Sequence, residues 1–109
     1  MNYRRSKYFT TSNKQKIKYF YLNKNSLVTV VFFHGFMSDM LGKKPTEIQK
    51  FCNKKKLNFL KFEYSGHGKS SGKFTEGNIS KWTKEAQQLI NSKVKKNKKL
   101  IFIGSSMGG

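Results

Sequence analysis

The 109-residue sequence predicts an α/β domain in which an antiparallel hairpin leads into a mostly parallel central sheet flanked by helices. Three observations carry this. Short runs rich in Tyr, Phe, Ile and Val alternate with segments of helical apolar spacing. Two of those runs pass straight into glycine-bearing loops, at His34-Gly35 and at Ser65-Gly66. A third, at 99–104, leads into Ser105-Ser106-Met107-Gly108-Gly109. Strands that alternate with helices argue for parallel pairing with both faces of the sheet covered.

The elements follow in chain order. Residues 6–10 and 16–22 read as strands, and Ser12-Asn13-Lys14 between them is turn chemistry, which gives a hairpin. Residues 27–33, LVTVVFF, are β-branched and aromatic without alternation, as in a strand buried on both faces. Residues 45–55 carry helical spacing through Ile48, Phe51 and Cys52, with Leu41 one heptad before Ile48. Pro45 suits a first helical turn, where no N–H is needed. Residues 57–64, LNFLKFEY, form the next strand. A helix then starts at about Asn78, which can cap it, and presents the stripe Ile79, Trp82, Ala86, Leu89, Ile90 and Val94. KLIFIG at 99–104 is a short buried strand.

Composition narrows the classes. A chain of this length holds one small domain, and 36% hydrophobic residues can supply its core. Cys52 is the only cysteine, so no intrachain disulfide exists and a buried structural thiol is the reading. No apolar run approaches the ~20 residues of a membrane-spanning helix. The start, MNYRRSKYF, has no apolar stretch behind its basic residues, which excludes a secretory signal. A cytoplasmic location is expected; a mitochondrial transit peptide, Arg-containing and acid-free, is the alternative. Lys and Arg number 23 against 5 Asp and Glu, a net charge of +18. Such charge attracts phosphates or anionic lipid. Yet Arg4 and Arg5 are the only arginines, and the lysines are scattered along the chain with no aromatic-plus-basic recognition motif. The run KVKKNKK at 93–99 reads as a solvated helix end. A basic module for nucleic acid or anionic membrane is therefore the runner-up, and no specific nucleic-acid partner is expected.

The segment that carries chemistry is Gly104-Ser105-Ser106-Met107-Gly108, a G-x-S-x-G directly after a buried strand. A serine hydroxyl is a poor nucleophile until it is presented in the open and deprotonated by a base. A tight strand-to-helix turn presents Ser106, and Gly104 and Gly108 remove the Cβ atoms that would collide there. The second motif is His34-Gly35-Phe36, also after a buried strand. Acyl transfer builds negative charge on a carbonyl oxygen, and two backbone N–H groups stabilise it, with roughly 3–4 kcal/mol at stake for one donor. Met107, the residue after the nucleophile, supplies one; Phe36, in the loop after the first central strand, supplies the other. Gly35 permits close approach. His34 reads as a pin for that loop and not as the base, which must reach Ser106 from the opposite side.

HGF, SDMLGKK, FCNKKKLNFLKFEYSGHGKSSGKF, NISKW and GSSMGG together resemble the α/β-hydrolase superfamily from about Tyr8 to Gly109. More narrowly they resemble the branch with bacterial α/β-hydrolases and a mitochondrial palmitoyl-protein thioesterase that also cleaves acyl glucuronides. The resemblance implies a central sheet, Ser106 as nucleophile, Phe36 and Met107 as oxyanion donors, and cleavage of acyl esters or thioesters, small-molecule or protein-borne, without metal or cofactor. Glu63 departs from the family by standing where Asp is usual in an F-D-Y motif, a change expected to affect loop packing more than chemistry.

In this superfamily the triad acid and histidine follow the serine. Here His34 and His67 precede it, and nothing follows Gly109. His67 is expected to shape the rim of the pocket. Residues 1–109 therefore read as a partial α/β-hydrolase domain, cut after the nucleophile elbow and inactive alone. Its last strand, expected to be central in a full sheet, would have a bare apolar edge.

Overall fold

A computed structural model describes residues 6–35, 40–94 and 99–104. Two strands open the chain, β1 (Lys7–Thr10) and β2 (Lys16–Leu22), then β3 (Val28–Phe33), α1 (Lys43–Lys55) and β4 (Asn58–Phe62). A single 3₁₀ turn at Phe74–Glu76 precedes α2 (Ile79–Lys93), and β5 (Lys99–Gly104) follows. The five strands form one sheet in the order β1-β2-β4-β3-β5. β1 pairs antiparallel with β2 and β2 with β4, while β3 lies parallel to both β4 and β5. This is the predicted hairpin followed by a parallel centre. The sequence left open where the hairpin docks: it joins the sheet through β2 against β4.

Strand alternation sends two sets of side chains to opposite faces. Ile17, Tyr19, Val31, Leu60 and Phe62 meet Trp82, Ala86 and Leu89 of α2. Phe20, Leu22, Val30, Phe32 and Phe59 meet Cys52 of α1. β4 is buried along its whole length, including the polar Asn58 and Lys61, as a strand covered on both faces is.

Each helix is bounded by recognisable chemistry. Asn78 caps α2: its side chain accepts the Lys81 N–H at 2.8 Å. Lys56 ends α1 in the left-handed conformation, φ 59°, and the next N–H, of Leu57, returns to the Cys52 carbonyl at 2.9 Å. Lys54 and Lys55 sit favourably in the last turn of α1. Helix α2 also grips the hairpin turn, since Gln88 accepts the Ser12 N–H at 2.8 Å and donates to its hydroxyl at 2.9 Å.

Some apolar positions differ from the periodic reading. Cys52 is fully buried, but Phe51 is 52% exposed and Leu41 57% exposed. The buried stripe of α1 is narrow, so a residue one position off Cys52, about 100° round the helix, faces outward. Ile79 is likewise 59% exposed; the α2 side chains that pack on the sheet are Trp82, Ala86, Leu89 and, partly, Ile90.

One polar side chain in the core organises a loop. Asn58 is fully buried. Its oxygen accepts the N–H groups of Lys24 (2.7 Å) and Ser26 (3.3 Å); its amide donates to the Ser26 carbonyl (2.9 Å) and the Thr29 hydroxyl (3.1 Å). All its capacity is used, and the β2–β3 connection is held by it. Replacing Asn58→Ala in the native gene product orphans these groups and should destabilise it by about 3 kcal/mol. The exposed Lys54→Ala should cost under about 0.5 kcal/mol. Urea unfolding midpoints compare the two.

Candidate active site

The three parallel strands end at one side of the molecule, where α/β sheets bind ligands. Phe33 lies level with Phe62 of β4 on one side and with Gly104 of β5 on the other. The residues just past those positions, His34-Gly35 and Glu63-Tyr64-Ser65, therefore converge. Gly104 is the last described residue of β5. Ser106, Met107 and Gly108 lie outside the described residues, as does Phe36.

His34 is 1% exposed. Its Nε2 accepts the Tyr64 N–H at 3.1 Å, which leaves the ring proton on Nδ1, 2.7 Å from the Gly35 carbonyl that accepts it. The imidazole thus bridges the end of β3 to the end of β4, and both ring nitrogens are engaged. Its ring packs edge-on against Tyr64, 4.5 Å between centroids.

His67 is 4% exposed and lies in the interior, not on a rim. Its ring packs edge-on against Trp82 at 5.1 Å, and Nδ1 lies 3.2 Å from the Ser65 carbonyl. The reason is Trp82: its indole N–H donates to the same Ser65 carbonyl at 3.0 Å and draws the loop down onto α2.

Two buried carboxylates complete this end. Glu85 of α2 accepts both the N–H (2.9 Å) and the hydroxyl of Ser65. Glu63 accepts the Lys69 N–H at 2.8 Å and the Met40 N–H at 3.4 Å. The sequence reading singled out Glu63 as a departure and passed over Glu85. The signal for Glu85 was available: it is an acid on the Trp82–Ala86–Leu89 stripe of a helix.

A cleft of about 500 Å³ opens between α2 and the ends of β3 and β5, lined by Phe33, Tyr64, Trp82, Ile90, Phe102 and Gly104 among others. Burial, with repulsion from Glu85, pushes the Tyr64 phenol up to about 12, so it stays protonated. Lys44 at the start of α1 donates to the Gly104 carbonyl at 3.3 Å. Among the described residues no group of three or more His, Cys, Asp or Glu could hold a metal ion. No helix of the described residues is long and apolar enough to cross a membrane.

This sheet order, with parallel strands feeding their C-terminal loops into one cleft, is that of the α/β-hydrolase fold. The chain belongs to the α/β-hydrolase superfamily. It is 35% identical over 80 residues to the palmitoyl-protein thioesterase ABHD10, mitochondrial, of Rattus norvegicus, a match spanning 73% of this chain and 26% of the relative. The solved mouse α/β-hydrolase domain-containing protein 10 superposes with a TM-score of 0.85 at 28% identity, covering 95% of this chain and 40% of that one. The Pyrococcus furiosus esterase Pf2001 superposes at 0.76 with 26% identity, again over 95% of this chain and 40% of that one. No family model matches. The chain thus spans about a quarter of the length of the curated relatives it matches.

Cys52 stands apart from this end, on α1 against the other face. Burial pushes its thiol from 9.0 up to about 11. A raised thiol pKa means the folded state resists the thiolate, so this contribution to stability is intact below pH 9 and fades as pH rises toward 11. Cys52 should therefore react with a thiol probe at pH 8 at a rate at least roughly tenfold below that in urea. Equal rates would place the thiol in the open.

Proposed function

We propose that this sequence is the nucleophile-bearing part of a serine hydrolase that cleaves carboxylic esters or acyl thioesters through an acyl-enzyme on Ser106. The observation that carries the reading is the register of β5 against β3. With Phe33 level with Gly104, the sequences Gly104-Ser105-Ser106-Met107-Gly108 and His34-Gly35-Phe36 leave neighbouring strands at the same level. A nucleophile and a donor loop set one strand spacing apart can act on one carbonyl.

In the proposed mechanism Ser106 Oγ attacks the carbonyl carbon as a base takes its proton. The N–H groups of Phe36 and Met107 bind the oxyanion. The protonated base returns the proton to the leaving alcohol or thiol, and water then releases the acid by the same steps. Neither metal nor cofactor is required. His34 is proposed as loop support, with Gly35, Gly104 and Gly108 allowing close approach. Both histidines of residues 1–109 are buried and engaged, so neither is assigned as the base. The 109-residue chain alone is then inactive. The apolar walls of Phe33, Ile90 and Phe102 and a thioesterase relative favour an acyl thioester with a fatty chain, on a small molecule or a protein.

The assigned location is the cytoplasm. The mitochondrion is the second reading, supported by the mitochondrial rat relative. The competing function, a basic module for nucleic acid or anionic membrane, rests on the net charge of +18.

In the native gene product, Ser106→Ala should lower hydrolysis of a p-nitrophenyl acyl ester by at least roughly 10³-fold. A fluorophosphonate should label Ser106 there and scarcely at all in the isolated 109-residue chain. Undiminished hydrolysis by the alanine variant would end the reading. Binding that Ser106→Ala leaves intact and that falls steeply with salt would favour the basic module instead.

A further inference from the structure

The proposed chemistry needs an oxyanion donor held still, and the geometry points to Glu63 as the residue that holds it: Glu63 is a positioning residue that fastens Met40, one end of the stretch Gly35–Met40 that carries Phe36. This rests on the reading of Ser106 and Phe36 given above.

Glu63 is the first residue past β4 and is fully buried. A carboxylate in that setting is costly unless hydrogen bonds satisfy it. Its two oxygens accept from two different loops. Oε2 takes the N–H of Met40, itself fully buried, and Oε1 takes the N–H of Lys69. Gly35, at the other end of the donor loop, is held through His34 to the N–H of Tyr64. Both ends of the segment that contains Phe36 are therefore fastened to consecutive residues, Glu63 and Tyr64, of a single strand end.

The second loop is built around the same carboxylate. Gly68 has φ +52°, and a Cβ there would overlap the Glu63 carboxyl group. The Ser70 hydroxyl donates to the Glu63 carbonyl at 2.6 Å, and the Glu63 N–H donates to Lys18 of β2 at 2.9 Å. Backbone and side chain of Glu63 are thus fixed independently. The nearest cation on its own strand is Lys61, whose ammonium is lowered by burial and raised in turn by Glu63. Glu63 is too enclosed to touch a substrate, so its effect passes through the loops. Length matters here. A carboxylate one methylene shorter retracts by about 1.5 Å and cannot reach both amides from the same backbone position.

The test compares Glu63→Gln and Glu63→Asp with wild type in the native gene product, with Ser106→Ala as the control on the underlying reading. The readouts are kcat per Ser106 titrated by a fluorophosphonate, KM and Tm. Glu63→Gln keeps the shape but sets an NH₂ against one of the amides. It should lower kcat per titrated site roughly 10- to 100-fold, the scale of a donor misplaced by an ångström, with KM changed less than about threefold. Glu63→Asp should recover part of that kcat by keeping one acceptor pair. Should Glu63→Gln fail to fold, Gly68→Ala displaces the carboxylate without altering it and should lower kcat per site likewise. A lower Tm and fewer titratable sites, each with wild-type kcat, would show a purely structural residue and overturn the inference. Hydrolysis that survives Ser106→Ala would instead sink the functional reading, and this inference with it.

Discussion

The arrangement depends on satisfying the polar groups of three consecutive buried residues where β4 ends. Glu63, Tyr64 and Ser65 are 0%, 5% and 2% exposed, so every donor and acceptor there must find a protein partner. They find them in different directions. Glu63 holds the Met40 and Lys69 amides, the Tyr64 amide holds His34, and Ser65 is held by Glu85 and Trp82 of α2. One strand end thus joins the loop after β3, the loop after β4 and the helix covering the opposite face from α1. Moving any of these leaves a buried amide or carboxylate unpaired, at roughly 1–3 kcal/mol or more for a charged group.

The charge balance is consistent with this. The chain has only five acidic residues, and two of them, Glu63 and Glu85, are buried at this junction. Solvating lysines need no such partners, and an excess of them on the surface is compatible with any fold. A buried carboxylate is kept only where it accepts hydrogen bonds, and charge-assisted bonds to backbone N–H are roughly twice as strong as neutral ones. The scarce acids therefore say more about the architecture than the abundant lysines do.

The sheet was legible in the sequence because its signals are local. Strand runs at 28–33, 58–62 and 99–104 stand out by composition, the Asn78 cap by its position before an amphipathic stripe, and the hairpin by its turn residues; β5, expected to be buried, is instead an edge strand with Leu100, Ile101 and Phe102 exposed. What stayed hidden is long-range. The pairing of β2 with β4 joins residues about forty positions apart, and no feature of either strand names its partner. Phe51 and Ile79 fit a helical period yet face outward, because periodicity gives a direction round the helix and not the width of the surface beneath it. At the site, the residue types in HGF and G-x-S-x-G were readable. The anchoring was only half readable: the place of Glu85 on the buried stripe of α2 marks it as an unusual acid, but only the fold brings Ser65 to it.

The cleft beside this junction joins two unlike environments. Phe33, Ile90 and Phe102 give it apolar walls, and Gly104 marks the end at which the polar network begins. An acyl ester or thioester has the same asymmetry, an apolar chain ending in a carbonyl. Burial of the chain is worth about 0.8 kcal/mol per methylene, and that energy does not discriminate between carbonyl positions. The polar end must do so, and it does so only as far as its backbone is fixed. Neutral Tyr64, doubly bonded His34 and the two carboxylates supply that fixity without adding a free charge to the wall of the cleft. In such a site the length of the apolar wall selects the chain. On the proposed acyl-transfer reading, the rigidity inherited from Glu63–Ser65 would set how well the oxyanion is met, so binding and turnover should respond to different residues.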